Sequence, residues 1–375
     1  MAKLSFRDCI PWVFAPLIDA SRRTDLVDTL RLVPPPKEVR NEQFARFGSL
    51  KRPDSTAIPL PNGGFFLRFQ QANQTSFAFS SYIDDIDRDP DLDFWLAENE
   101  AVIENLDQAL FLYLAKFAHP HFSIRPRFKS RAEARNIVEI AEANSYEGHN
   151  ADDLIEVYRP TFVVTLPKDS LLEDVDDYTL CSELSSMISD LRSPIIDQTF
   201  AGKVHLLLGN HLVSSESIYL VLTSTRWRYA FMELFRILET TLHVPWLLDL
   251  TKDLSIGGSL VDLYRNLREK LSWKEAKGNS VERVFRDLNG DEDLLRFEKT
   301  VSVFAGIDLD AEEFCRSSIG RKIWKTRNQL VHPEDFTDGS KLEVSEDQFR
   351  ALSNYLIEVI AKIFAKIPDG ALRAS

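Results

Sequence analysis

Cysteine is scarce, at three in 375 residues, and Cys9, Cys181 and Cys315 stand far apart with no C-x-x-C pair. That suits reduced thiols in a cytoplasmic protein rather than a disulfide framework. Long apolar runs are missing too: none approaches the roughly 20 residues that cross a bilayer, so no membrane segment is expected. An excess of positive charge is also lacking. With 45 Lys and Arg against 58 Asp and Glu, the net charge is −13. Such a field disfavours indiscriminate binding of polyanions and leaves nucleic-acid contact to a local basic patch. Nucleotide and hydrolase signatures are absent. "AGKVH" at 201–205 lacks the upstream glycine and the following Ser or Thr of a P-loop, and there is no G-x-S-x-G and no H-E-x-x-H. No acid-x-Lys strand follows "DPD", as a metal-dependent nuclease would require. Internal repeats and low-complexity tracts are lacking as well.

What is present is enough chain for two domains. Residues 1–224 read as α+β. Candidate strands are "STAIPL" (55–60), "GFFLRFQ" (64–70), "SFAFSSYI" (76–83), "TFVVTLP" (161–167), "KVHLLLG" (203–209) and "SIYLVLT" (217–223). The first two flank "PNGG", a hairpin turn in which Asn and Gly accept positive φ. Residues 93–118 carry helical periodicity throughout. "ANSYEGHNADD" (143–153) reads as an exposed loop and a subdomain boundary. At the N-terminus, "CIPWVFAPLI" is interrupted by two prolines and followed by "DASRR" rather than a small-residue cleavage site, which predicts a buried first segment.

From residue 225 to 375 the texture is helical and predicts an all-α antiparallel bundle. Trp227, Phe231, Leu234, Leu238 and Leu242 share one face, and Pro245 ends that segment. Ser259 caps a helix bearing Leu260, Leu263, Tyr264, Leu267 and Leu271, and "NGD" at 289–291 breaks the region 280–304. Capping boxes are expected at Asp310 with Glu313 and at Ser345 with Gln348. The last helix carries Phe349, Leu352, Leu356, Val359, Ile360 and Ile363 as its apolar stripe, and Pro368 stops it.

The stretch "KTRNQLVHPEDF" (325–336) carries the chemistry. Arg327 follows Ile319 and Ile323 at helical spacing, so a guanidinium shares an apolar face, which is costly unless it is paired or points into a polar pocket. His332 precedes Pro333, which pushes it out of the helical region to the C-terminal end, where the helix dipole favours the imidazolium. Arg236 is also followed by a histidine, His243, seven residues on, but lacks a polar residue after the arginine. The segment "RSSIGRKIWKTR" (316–327) holds Arg316, Arg321, Lys322, Lys325 and Arg327 without one acid. In so acidic a chain this is either a phosphate-attracting surface or a solvated helix face, with Trp324 available for base stacking or core packing.

Arg327, Asn328 and His332, set in an all-helical C-terminal domain, resemble the HEPN superfamily, whose ribonuclease members carry Arg, a polar residue and His. The resemblance covers roughly residues 226–368 and leaves the N-terminal domain unassigned. It implies a metal-independent, cofactor-free endoribonuclease with a site composed across a homodimer. His332 would act as general acid or base, Arg327 would grip the phosphate and Asn328 would orient the histidine or the substrate. Arg316, Arg321, Lys322 and Lys325 would bind the RNA. Relatives of this kind serve in toxin–antitoxin, abortive-infection and antiviral systems, which implies a cognate regulator or antitoxin and a sensor or regulatory role for residues 1–224. The competing reading is a non-catalytic module that dimerises and binds RNA, nucleotide or protein, with a capping histidine and an interface arginine.

Three weaker constellations complete the survey. "RPRFKSRAEAR" (125–135) reads as a turn and helix start ahead of an RNA-guiding patch. His119 and His121 lack a third metal ligand. "DDIDRDPDLDFWLAE" (84–98) places Leu92 where a calcium loop needs Gly, so its acids are assigned to the start of a helix.

Overall fold

The computed structural model describes residues 5–80, 90–208, 210, 213–253, 263–267, 277–311, 314–331 and 344–366. The chain divides into two compact units, residues 1–193 and 194–375. The first is α+β and the second is helical in all its described elements.

In the first unit, five strands form one sheet: β1 (Ile58–Pro59), β2 (Phe65–Gln71), β3 (Gln74–Ser80), β4 (Val102–Glu104) and β5 (Thr161–Thr165). Their order is β1-β2-β3-β5-β4, with every pair antiparallel. The "PNGG" turn joins β1 to β2 with Gly63 at φ +83°, as its chemistry requires. Ala72 and Asn73 both take positive φ between β2 and β3, the backbone of a tight two-residue hairpin. Phe66, Phe77, Phe79 and Phe162 continue as a row of stacked rings across three strands. Against this sheet's core lie two helices. One, Gln108–Phe117, is buried along eight consecutive residues. The other, Phe6–Ser21, buries Cys9, Val13, Phe14, Leu17 and Ile18 despite Pro11 and Pro16, so the first segment is buried as expected.

Four expectations are corrected. Residues 93–118 are not one helix. The helix Pro90–Glu98 ends at Glu100, whose φ is +51°, and β4 then pairs with β5. A new helix starts where the Asp107 carboxylate accepts from Leu110 N–H. "KVHLLLG" and "SIYLVLT" are not strands: helices span Gln198–His205 and Ser215–Thr223, the first capped by Asp197. Burial of Ile218, Tyr219, Val221 and Leu222 overrides the β-propensity of that run. Both helices belong to the second unit, so the division falls at 193/194, not at 224/225. The stretch 143–153 lies within the first unit, where His149 is buried, takes 2.6 Å and 2.8 Å contacts to Tyr146 Oη and Ile137 O, and bridges to Leu32. Its last residues open the helix Ala151–Val157.

In the second unit, the helix Trp227–Thr241 buries Trp227, Phe231, Leu234 and Leu238, and Leu242 beyond its end is also buried. It packs on the helix Glu346–Ala365, with Phe231 and Phe349 rings 5.6 Å apart. That last helix starts with the expected capping box: Ser345 Oγ accepts from Gln348 N–H and Gln348 Oε1 accepts from Ser345 N–H. All six predicted stripe residues are buried, each worth about 1.5–3 kcal/mol. "NGD" separates the helices Lys277–Arg286 and Glu292–Glu298 through Gly290 at φ +81° and the Asp291 cap. Leu263, Tyr264 and Leu267 are packed near Val244 and Leu247, while Ser259, Leu260 and Leu271 lie outside the described residues. Glu313 also lies outside them; Asp310 pairs with Lys299 at 2.5 Å, and the next described helix begins at Ser317.

Candidate functional site

The site is built on the helix Ser317–Val331, whose position is set by close packing. A Cβ on Gly320 would stand 3.0 Å from the Phe285 ring, so the glycine lets the 277–286 helix approach closely. Ile319 and Ile323 are fully buried on this face, and Trp324 is half-buried with its indole 5.8 Å from the Phe235 ring. Trp324 is thus a packing residue on its inner side.

Arg327 continues that face. Its side chain is 18% exposed and sits opposite Glu239, which is 16% exposed, with Nη2 3.5 Å from Oε1. Nη1 donates to Asn328 Oδ1 at 3.1 Å. The guanidinium carbon stands 5.7 Å from the Phe235 centroid and 5.5 Å from that of Trp324. Nε is buried and has no hydrogen-bond partner among the described residues. Two helices therefore make a cradle for one cation: Phe235 and Glu239, four residues apart, face Trp324, Arg327 and Asn328. Ring faces stabilise a guanidinium, and the buried Nε–H leaves it under-satisfied. His332, the third residue of the motif, lies outside the described residues.

The basic run divides. Arg321 is 70% exposed and binds Glu282 through two 2.9 Å bonds. Lys322 and Lys325 are exposed on the same helix, without an ion pair among the described residues. Arg316 does not belong with them. It is 2% exposed, its Nε donates to Glu298 at 2.5 Å, and its terminal nitrogens donate to the carbonyls of Leu288 and Asp291. Tyr355 Oη donates to the same Glu298 oxygen at 2.5 Å. With every nitrogen turned inward, Arg316 holds the fold together and offers nothing to RNA, a correction that the run of cations concealed.

No family model matches this chain, and no curated protein or solved structure does either.

The other candidates separate from this cradle. Arg236 is 59% exposed and paired with Glu233, whereas His243 is buried, stacked on Tyr264 and held neutral because burial pushes its pKa down to about 4. The stretch 125–135 is a short 3-10 turn followed by the helix Arg131–Val138, capped by Ser130, with Arg125 bonded to Tyr158 O. Among the described residues no three His, Cys, Asp or Glu side chains gather as a metal site. Residues 84–89 of the aspartate run lie outside the described residues.

Sequence reasoning named Arg327 and Asn328 but missed Phe235 and Glu239. Their only sequence signal is the four-residue spacing on a helix, which says nothing about the helix they meet.

Proposed function

We propose that the chain is a metal-independent endoribonuclease of HEPN type that cleaves RNA by attack of the 2′-hydroxyl on the adjacent phosphodiester. One observation carries the reading: Arg327 is caged yet partly open, and its buried Nε has no acceptor among the described residues. A phosphate oxygen would supply that acceptor and form a charge-assisted bond in a low-dielectric setting. Asn328 then fixes the guanidinium through Nη1. His332, the next residue in the sequence after the 317–331 helix, transfers the protons. Lys322 and Lys325 attract the flanking phosphates, and Arg321 joins them by releasing Glu282.

The same reading holds that two copies pair to complete the site in the cytoplasm. It makes residues 1–193 a sensor or regulatory unit and places the protein in an antiviral or toxin-type system with a cognate regulator. A second reading, a non-catalytic binding module, is favoured by Glu239, because an Arg–Glu contact between helices is also what a structural staple looks like.

Incubation of the purified protein with labelled RNA in excess EDTA tests the choice. Expected are products with 2′,3′-cyclic phosphate ends and a loss of about 10²- to 10⁴-fold in His332→Ala. Binding without turnover assigns the module, and cleavage only with added divalent metal refutes the mechanism. Light scattering that finds a strictly monomeric, fully active protein refutes the paired site.

A further inference from the structure

We infer that the first unit holds a binding site for a basic amino acid, one that carries an α-carboxylate and an ammonium or guanidinium side chain. The site lies wholly within residues 1–193, so it is independent of the ribonuclease reading. It is a cavity of about 330 Å³ lined by the 52–55 loop, β2, Glu173 and Asp177. Small-molecule pockets span roughly 300–1,000 Å³, so this one has room for a single small metabolite.

Its walls are fixed by the protein's own hydrogen bonds. Arg68, on β2, donates from Nη2 to Leu172 O at 2.9 Å and to Glu173 O, and from Nη1 to Val175 O. These bonds hold the 3-10 turn Leu171–Glu173 against the strand. Ser55 Oγ donates to Asp177 Oδ2 at 2.5 Å and ties the loop to the helix Asp177–Met187. The loop is anchored at its start as well, where Lys51 N–H donates to Gln70 O at 3.0 Å. Lys51 O in turn accepts from the buried Tyr113 hydroxyl at 2.7 Å. A site held open in this way costs a ligand little ordering.

The charges around the cavity fall into two sets. Arg68 and Asp177 face each other at 3.5 Å and largely cancel. Arg52, Asp54 and Glu173 line the same cavity, and their side chains have no hydrogen bond or ion pair among the described residues. One open guanidinium against two open carboxylates selects a ligand with one anionic and two cationic groups. A phosphate or nucleotide is disfavoured, because it would meet more acids than bases. The acids do not gather with a third ligand as a metal site among the described residues. Carboxylates that share a cavity yet stand apart match two cations separated by a carbon chain, as in lysine or arginine. Arg52 grips the α-carboxylate in its planar fork, while Glu173 and Asp54 take the α-ammonium and the side-chain cation.

Isothermal titration calorimetry of the full chain at matched ionic strength tests this. The probes are L-lysine, L-arginine, their decarboxylated amines cadaverine and agmatine, and L-glutamate. L-Lysine or L-arginine should bind more tightly than its own amine, and L-glutamate should not bind. Glu173→Gln should weaken the better amino acid by about 10- to 100-fold, the worth of a charged hydrogen bond. Arg52→Gln should weaken it comparably yet leave the matching amine unchanged or tighter, because a repelling cation has gone. Both variants should melt with wild type; a lowered melting temperature in either would mean that its side chain already serves the fold, and overturns the inference. So does the absence of binding by either amino acid at about 10 mM, or affinities within about threefold of wild type in both variants. An amine as tight as its amino acid, or L-glutamate as tight as L-lysine, overturns it as well. Cleavage of RNA in EDTA is scored separately, so either reading can fail alone.

Discussion

Replacing Arg316 by Met tests whether this arginine serves the fold or the RNA. Arg316 and Glu298 are 2% and 1% exposed. Among the described residues, losing the guanidinium leaves Glu298 with only the Tyr355 hydroxyl on one oxygen, its other oxygen having no partner already. The carbonyls of Leu288 and Asp291 lose their donors in the same stroke. Removing one member of a buried pair costs about 3–5 kcal/mol, chiefly because the remaining charge is stranded. At a urea m-value of about 2 kcal/mol/M, the midpoint should fall by roughly 2 M. Urea unfolding followed by far-UV circular dichroism reads this, with Arg321→Met as the control, since an exposed pair contributes about 0–1 kcal/mol. Removing the stranded acid as well, in Arg316→Met/Glu298→Leu, should restore part of the loss. A midpoint shift no larger than that of Arg321→Met, or a double variant weaker than the single one, would refute this account. Weakened RNA binding with unchanged stability would return Arg316 to the surface.

Other outcomes follow from the same physics. Burial depresses His243 to about 4 from an ordinary 6.5, so the unfolded chain binds the extra proton; stability is full above pH 6.5 and is lost as pH falls toward 4, by at most about 3 kcal/mol, and His243→Phe should flatten that slope in pH-dependent melting. Gly320→Ala should destabilise by about 1–2 kcal/mol in urea, because the clash at 3.0 Å with Phe285 outweighs a helix-propensity gain of about 1 kcal/mol. Ser345→Ala should cost about 1 kcal/mol by removing the cap, read as a lower melting temperature. Lys322→Ala with Lys325→Ala should leave melting unchanged and reduce the log–log salt dependence of single-strand binding by about 1.4.

Much of the second unit is legible from residue spacing. The stripe from Phe349 to Ile363 and the Ser345–Gln348 box are local properties, decided within a few turns of one helix. The "NGD" break and the "PNGG" turn are equally local, since each rests on a glycine at positive φ. Spacing failed where a neighbour decides. Val102, Ile103 and Glu104 become strand because β5 offers them a partner, and "SIYLVLT" becomes helix because it packs on the 227–241 helix, burying Ile218, Tyr219, Val221 and Leu222.

The cations of 316–327 draw the same line most sharply. By itself the order of residues determined that one helix would carry an arginine on its apolar side and an asparagine beside it, because helical periodicity acts within a few residues. Only the tertiary structure decided that Arg316 turns inward to Glu298 while Lys322 and Lys325 face water. It alone brought Phe235 and Glu239 to Arg327 from a helix some 90 residues earlier. Charge and burial at such positions depend on what packs across the gap, and no local pattern encodes that.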